Sequence, residues 1–317
     1  MNIDLIIPYY NNLEGLKKTI ESIELDIFEI TIVDDGSDEQ LEHVNKDIHV
    51  LVLPENRGPG YARQYGLMHT SNPYVMFIDA GDTFTDDMAQ HIIQNLIEKN
   101  EDVNMFSFSY NHYNSIANPR IDNRMHGKVY KREFLEKYDI SFCPKSSYMN
   151  EDIGFNRTCR LILNQSDPKE ILFSNVAVIN QNFDENSLTQ KDNRAALYRD
   201  QTRALSLVSI HTINICELHN FDTTEEIAQI AASLYYWFVR TAAERPEFLP
   251  MAWAGTKIFF DAYGARMSSS TMNYITGAMM SKLRFFKTKI PFHINFPRFF
   301  MDIRTYSHIP PWYLTKV

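Results

Sequence analysis

Apolar residues fall in short solid runs through the first part of the chain and at helical spacing through the last. Leu5–Pro8, Ile30–Val33, His49–Leu53 and Tyr74–Ile78 are rich in β-branched and aromatic residues, as strands buried on both faces require. Leu16, Ile20 and Ile23 share a helix face after Asn11 and Glu14, which have capping-box spacing. Ser37 and Gln40 repeat that signature, and a helix is expected from Tyr61 to about His69. Strand and helix in alternation predict an α/β fold with a mostly parallel sheet flanked by helices. A further strand is expected over Phe173–Ile179, then a polar loop from Asn182 to Gln190, placed to fold over a bound ligand.

From about Arg194 the strand signals stop. Ile227, Ile230, Ala231, Leu234, Trp237 and Phe238 recur at helical spacing until Pro246 closes the segment. Helices are also expected over 195–218, 249–266 and 271–286. The expected division is therefore an α/β domain over residues 1–193 and a helical region over 194–317.

Ligands of open α/β sheets collect beyond the carboxyl ends of the strands. Here those ends carry Pro8–Asn11, Asp34–Ser37, Arg57–Gly60 and Asp79–Asp82. Asp79 and Asp82, set across an Ala-Gly corner, make a hard-oxygen site suited to Mg²⁺ or Mn²⁺ already carrying phosphate oxygens. Asp34 or Asp35 can accept hydrogen bonds from a base or ribose, Tyr10 can stack on the base, and Arg63 can neutralise a phosphate. Taken singly, the acidic pairs read as turns, Tyr10 as packing and Arg63 as a solvated helix face. Their convergence on one sheet edge favours a ligand site. Glu151 and Asp152 precede a helix with Phe155, Cys159 and Ile162 on one face. Acids at a helix start are favoured by its dipole, but the short polar run before them suits an active-site loop.

The formal charge of −9 and pI near 5.6 argue against a general nucleic-acid binder. Cys143, Cys159 and Cys216 are few and far apart, which fits a reducing compartment and excludes a cysteine zinc site. No signal peptide and no membrane-spanning run is expected. From residue 195 on, 13 Lys and Arg stand against nine Asp and Glu. Lys282, Arg284, Lys287, Lys289, Arg298 and Arg304 interleave with phenylalanines, among them Phe285, Phe296, Phe299 and Phe300. That pattern suits an anionic membrane surface, a lipid-linked acceptor, a polyanion or a protein partner; its ordinary reading is a packing face with snorkelling cations.

Ile6-Ile-Pro-Tyr-Tyr-Asn11, Val33-Asp-Asp-Gly-Ser37, Asn56-Arg-Gly58 with Ala62, Arg63 and Gly66, and Phe77-Ile-Asp-Ala-Gly-Asp82 follow one another in the order and spacing of a known family. With His126-Gly-Lys-Val-Tyr-Lys-Arg-Glu-Phe134 and Asn150-Glu-Asp-Ile-Gly-Phe155, they make about the first 190 residues resemble glycosyltransferase family 2. The resemblance implies a GT-A fold, a nucleotide-sugar donor such as a UDP-sugar, a Mn²⁺ or Mg²⁺ ion, and inversion at the anomeric carbon. By position, Asp35 would contact the base, Asp79 the ribose side, Asp82 with Asp79 the metal, and Asp152 would be the catalytic base. Pro8, Tyr10, Gly58 and Arg63 would line the donor, and Glu151, His126 and Lys128 the acceptor or phosphate side. The family's metal motif often has an acid where Gly81 stands, and a group near Asn182–Asp184 could complete the shell.

The function implied is transfer to a glycan or lipid-linked acceptor in surface polysaccharide synthesis. It would run in the cytoplasm or at the inner face of the membrane, with the helical region organising the acceptor, a membrane contact or a second copy. Two rivals stand beside it: a sugar-nucleotide-binding scaffold without activity, and a transferase acting on modified nucleic acid with the basic tail as its grip.

Overall fold

The first apolar run becomes β1 (Ile3–Tyr9), and all seven of its residues are buried because it lies inside a sheet with a strand on either side. The computed structural model describes residues 3–38, 41, 48–113, 115–121, 123–146, 148–182, 194–268, 270, 271, 273, 275, 277 and 296–314. The chain divides into two units, Met1–Asp184 and Glu185–Val317.

In the first unit β2 (Phe28–Asp34) and β3 (His49–Val52) extend the sheet in parallel to one side of β1, and β4 (Tyr74–Phe77) pairs in parallel on the other. The chain thus reverses its direction of travel across the sheet at β1, and the crevice beyond the carboxyl ends of β1 and β4 is where ligands of such sheets bind. Past β4 the sheet becomes mixed. β8 (Lys128–Lys131) is antiparallel to both β4 and β6 (Met105–His112), β9 (Ile171–Gln181) is parallel to β6, and β5 (Thr83–Phe84) closes the row antiparallel to β9. A short β7 (Ser115–Ile116) pairs with β6 as a hairpin.

α1 (Leu13–Glu21), α2 (Pro59–Met68), α3 (Asp87–Lys99), α4 (Arg132–Lys137) and α5 (Glu151–Ser166) complete the unit. α1 is capped by Asn12, whose side chain accepts from Gly15 N at 3.1 Å, and not by Asn11 as the spacing suggested. Asn11 sits at φ +49° and exchanges hydrogen bonds with Ser37 and Asp38 instead, joining the ends of β1 and β2. The helix expected after Ser37 falls mostly outside the described residues. α2 lies close against β1 because residue 66 has no side chain. A Cβ there would sit 2.6 Å from Ile6 Cγ2 and 3.1 Å from Val33 Cγ2. That approach sets the height of Arg63, one turn earlier, above the crevice.

At the opposite edge of the sheet Arg132 is spent entirely on the fold. It donates to Asp4 Oδ2 at 2.7 Å, to the carbonyls of Asn72 and Leu67, and to Thr70 Oγ1. Arg132→Met should therefore destabilise the protein by about 3–5 kcal/mol, because a buried carboxylate, a buried carbonyl and a part-buried one lose their donor. Urea unfolding would measure this, and a loss under 1 kcal/mol would show that Asn72, which also donates to Asp4, suffices alone.

The second unit is helical, with α6 (Arg194–Leu218), α7 (Thr224–Glu244), α8 (Leu249–Tyr263) and α9 (Phe296–Thr305). Its core includes Leu234, Phe238, Trp253, Phe259, Phe260, Phe296, Phe299 and Phe300. Thr202 and Ser206 of α6 bond to the carbonyls of Ala252 and Gly255 on α8. Among the expected tail aromatics, Phe296, Phe299 and Phe300 are thus core residues rather than a docking stripe. Arg304 lies over the Phe300 ring and Arg298 pairs with Asp302, as snorkelling cations do. Lys282, Arg284, Lys287 and Lys289 lie outside the described residues, as does the expected helix beyond Gly277. No described helix is long and apolar enough to cross a membrane.

Candidate active site

The crevice is built from four strand ends and two helix starts. At the end of β2, Asp35 is buried and each of its oxygens takes a backbone N–H, Arg57 at 2.8 Å and Gly58 at 2.7 Å. Desolvation raises its pKa although those two bonds and Arg57 oppose the rise. Asp35 therefore shapes the loop that leads into α2. Gly58 stands there at φ +91°, a conformation few other residues hold. Asp34 accepts from Ser37 N in a tight turn. Pro8 is buried beside Val33, so only its backbone reaches the end of the sheet. Tyr10 projects from that end, 47% exposed, with its ring open to solvent. Tyr148 bonds to the Asn56 carbonyl at 2.8 Å, closing the same mouth from the loop before α5.

After β4 the chain makes the acidic corner. Gly81 holds φ +114°, and its N–H donates to Thr19 Oγ1 at 2.9 Å. Thr19 in turn lies 2.7 Å from the Asp82 carbonyl. The acid the family often carries at this position is absent because the turn here runs through a conformation suited to glycine. Asp79 and Asp82 converge with His126. His126 Nε2 is 2.9 Å from Asp82 Oδ2 and 3.9 Å from Asp79 Oδ2. One ligand atom from each of the three lies within 4.8 Å of the others.

Burial raises the Asp82 pKa against the pull of His126, and the Asn182 N–H holds the other oxygen at 3.0 Å. His126 is itself raised: desolvation opposes its charge, but Asp82 and Asp79 outweigh it. Asp79 goes the other way, because Arg63 and His126 overcome its desolvation and hold it below the ordinary carboxylate range. Asp82 Oδ2 and both His126 ring nitrogens are buried without a well-aligned hydrogen bond among the described residues. Two carboxylates and an imidazole with unsatisfied atoms aimed at one point fit a divalent cation, and the nitrogen suits Mn²⁺ better than Mg²⁺.

Arg63 joins this corner to the start of α5. It donates to Asp79 Oδ1 at 2.5 Å and to Glu151 Oε1 at 2.9 Å, with only 4% of its side chain exposed. It is raised despite burial, by Asp79, Glu151 and Asp152. The sequence reading placed Arg63 at a phosphate; here each terminal nitrogen gives one hydrogen bond to a carboxylate. Glu151, expected on the acceptor or phosphate side, is buried against Arg63, and desolvation and Asp152 push its carboxyl up to about 7. Asp152 is half-buried in the first turn of α5, its Oδ1 2.7 Å from Ile153 N. Its charge bears on both Arg63 and His126.

Lys128, expected on the acceptor or phosphate side, is fully buried, and its ammonium binds the carbonyls of Arg124 at 2.5 Å and His126 at 3.4 Å, which ties it to the loop before β8. His126, expected on the acceptor or phosphate side, stands in the acidic cluster, stacked on Tyr110 at 4.9 Å. Its partner Gly127, at φ +67°, would bring a Cβ to 3.0 Å from the Phe108 carbonyl. The His-Gly pair was the available signal for a tight loop. Asn182 reaches the corner through its backbone N–H and its amide, which donates to the Gly81 carbonyl at 2.7 Å. Residues 183–190 lie outside the described residues.

The profile of Glycosyl transferase family 2 matches residues 4–152. The teichoic acid poly(glycerol phosphate) polymerase of Staphylococcus epidermidis is 33% identical over 108 residues, covering 31% of this chain and 14% of the relative. The putative teichuronic acid biosynthesis glycosyltransferase TuaG of Bacillus subtilis is 29% identical over 126 residues, 36% of this chain and 48% of the relative. The chain thus spans less than half the length of either. Staphylococcus aureus TarS 1-349, solved in complex with UDP-GlcNAc, superposes with a TM-score of 0.55 at 19% identity, over 83% of this chain and 89% of that one. That likeness gives the fold, a GT-A sheet with a helical C-terminal region.

Proposed function

We propose that the glycosyl transferase family 2 domain at residues 4–152 moves a sugar from a nucleotide diphosphate to an acceptor hydroxyl, with a divalent cation and inversion at the anomeric carbon. The observation that carries the reading is the crevice beyond β1 and β4. An acidic corner with an imidazole follows β4, the Asp35-held loop leads into α2, and a carboxylate stands at the start of α5, which together support the reading. Tyr10 and the Asp35-held loop suit the nucleoside, and a UDP-sugar is the donor chemistry seen with TarS. Asp79, Asp82 and His126 would hold the cation, which when bound would offset charge growing on the leaving diphosphate. Asp152 takes the proton of the acceptor hydroxyl as that oxygen attacks the anomeric carbon. A single displacement of this kind inverts the centre and requires no protein nucleophile. The relatives named for teichoic and teichuronic acid synthesis make a surface glycan the acceptor class to test first.

The experiment is a panel of nucleotide sugars offered to the purified protein with Mn²⁺, with Mg²⁺ and after chelation. Turnover should appear with a UDP-sugar, be greater in Mn²⁺ than in Mg²⁺, and vanish with chelator. Asp82→Asn should weaken Mn²⁺–UDP binding at least about tenfold in calorimetry, since a charged ligand becomes a neutral amide. Unchanged turnover in that variant and in chelated wild type would remove the cation from the reaction.

A further inference from the structure

We infer that Glu151 is a positioning residue: through Arg63 it ties the first turn of α5, which carries Asp152, to the Asp79 side of the donor corner. The inference rests on the transferase reading above, because it concerns where that reaction's base is held.

An acid in the first turn of a helix ordinarily faces solvent and the helix's free N–H groups. Glu151 instead has 8% of its side chain exposed, turned toward the guanidinium of another helix 88 residues away in sequence. Arg63 reaches Asp79 with one terminal nitrogen and Glu151 with the other. Its Nε makes no hydrogen bond among the described residues, so these two bonds define the orientation of the fork. Asn150, immediately before, sits at φ +60° and does not cap α5 with its side chain. A non-glycine residue in that region persists where its surroundings over-determine it. The Gly154 N–H bond to the Asn150 carbonyl at 2.9 Å is one such constraint, and the Arg63–Glu151 pair on the next residue is a second.

The consequence is mechanical. α2 begins at the amide loop held by Asp35 and carries Arg63 one turn further on, so one rigid helix touches the donor loop, the acidic corner and the start of α5. Asp152 is attached to that start, and among the described residues its side chain accepts one hydrogen bond, from its own neighbour's N–H. Releasing Glu151 would leave the turn free to swing, and a shift of about 1 Å at a catalytic group can cost about 10²-fold in rate.

The test uses the full chain, with Glu151→Ala, Glu151→Gln, Arg63→Lys and Asp152→Asn. Glu151→Ala should lower kcat by about 10²-fold while the KM for the UDP-sugar and the calorimetric Kd for Mn²⁺–UDP stay within about threefold. Amide hydrogen exchange across residues 151–155 should quicken in the same variant. Glu151→Gln keeps an oxygen for Arg63 and should restore much of kcat, which a proton-transfer role would not allow. Should Glu151→Ala prove unfolded by thermal melting, Arg63→Lys, which breaks the fork but keeps the charge, carries the same expectations. Normal kcat with quickened exchange, or no change in either, overturns the inference. Full activity in Asp152→Asn would instead sink the assignment of the base, and the exchange comparison would still report whether Glu151 holds the turn.

Discussion

Asp152→Asn should lower kcat by about 10²–10⁴-fold and leave Mn²⁺–UDP affinity nearly unchanged. The amide keeps the volume of the carboxylate and can still accept the Ile153 N–H bond at 2.7 Å, so the first turn of α5 has no reason to rearrange. What is lost is the basicity needed when the acceptor hydroxyl attacks. The distinction from a binding role lies in which constant moves. A general base acts only as the proton leaves, so kcat and kcat/KM for the acceptor fall together. A binding residue would raise the donor KM or the Kd and spare turnover at saturation. Collapse of donor binding with normal saturated kcat would reassign Asp152. Slow hydrolysis of the UDP-sugar by water should suffer less than transfer if water is activated by other means.

Deleting α9 should abolish the cooperative fold of the helical unit. Phe296, Phe299, Phe300 and Ile303 are buried, and at about 1.5–3 kcal/mol each they contribute about 6–12 kcal/mol, comparable to the whole stability of a domain. Phe299 has no exposed surface, and its ring meets Phe238 at 4.7 Å, Tyr235 at 5.1 Å, Trp253 at 5.8 Å and Phe260 at 5.9 Å. Phe299→Ala alone should cost about 3–5 kcal/mol. A chain ended at residue 295 would show reduced near-ultraviolet dichroism and rapid cleavage between 194 and 268 by protease. Unaltered melting of that shortened chain would show that α6, α7 and α8 form a sufficient core without it. The sequence pattern, cations among phenylalanines, invited a surface role for this tail. Helical spacing of Phe296, Phe299, Phe300 and Ile303 was equally present, and burial is what that spacing means here.

The parallel half of the sheet was readable because β1, β2 and β4 are almost wholly apolar and end in polar corners. β6 and β8 escaped notice for a physical reason. Met105–His112 buries Ser107 and Ser109 among its aromatics, and Lys128 opens β8 with a buried ammonium, so neither segment looks like a core strand. Asp79 and Asp82 were picked out by chemistry at a strand end, Asp152 by the family resemblance, and the structure brings Asp79 and Asp82 to one corner with His126. Their partners were not legible. Which carboxylates occupy Arg63, and whether His126 faces solvent or an acidic corner, depend on pairs 16, 88, 44 and 47 residues apart. No local pattern encodes such distances.

Gly81 limits how this crevice can diverge. Its N–H and its carbonyl hold Thr19 and Asn182, and its φ of +114° is closed to an ordinary side chain. A single codon change that places an acid there would find room beside Asn12 but would hold a side chain at that φ, a strain that favours rebuilding the turn. The charge and softness of the corner are therefore adjustable at Asp79, Asp82 and His126, three letters scattered over 48 residues of sequence, and not at the residue between the two acids. Under the proposed cation role, a lineage descending from this chain would be expected to change ion preference by exchanging His126 for a carboxylate long before it lengthened the acidic run.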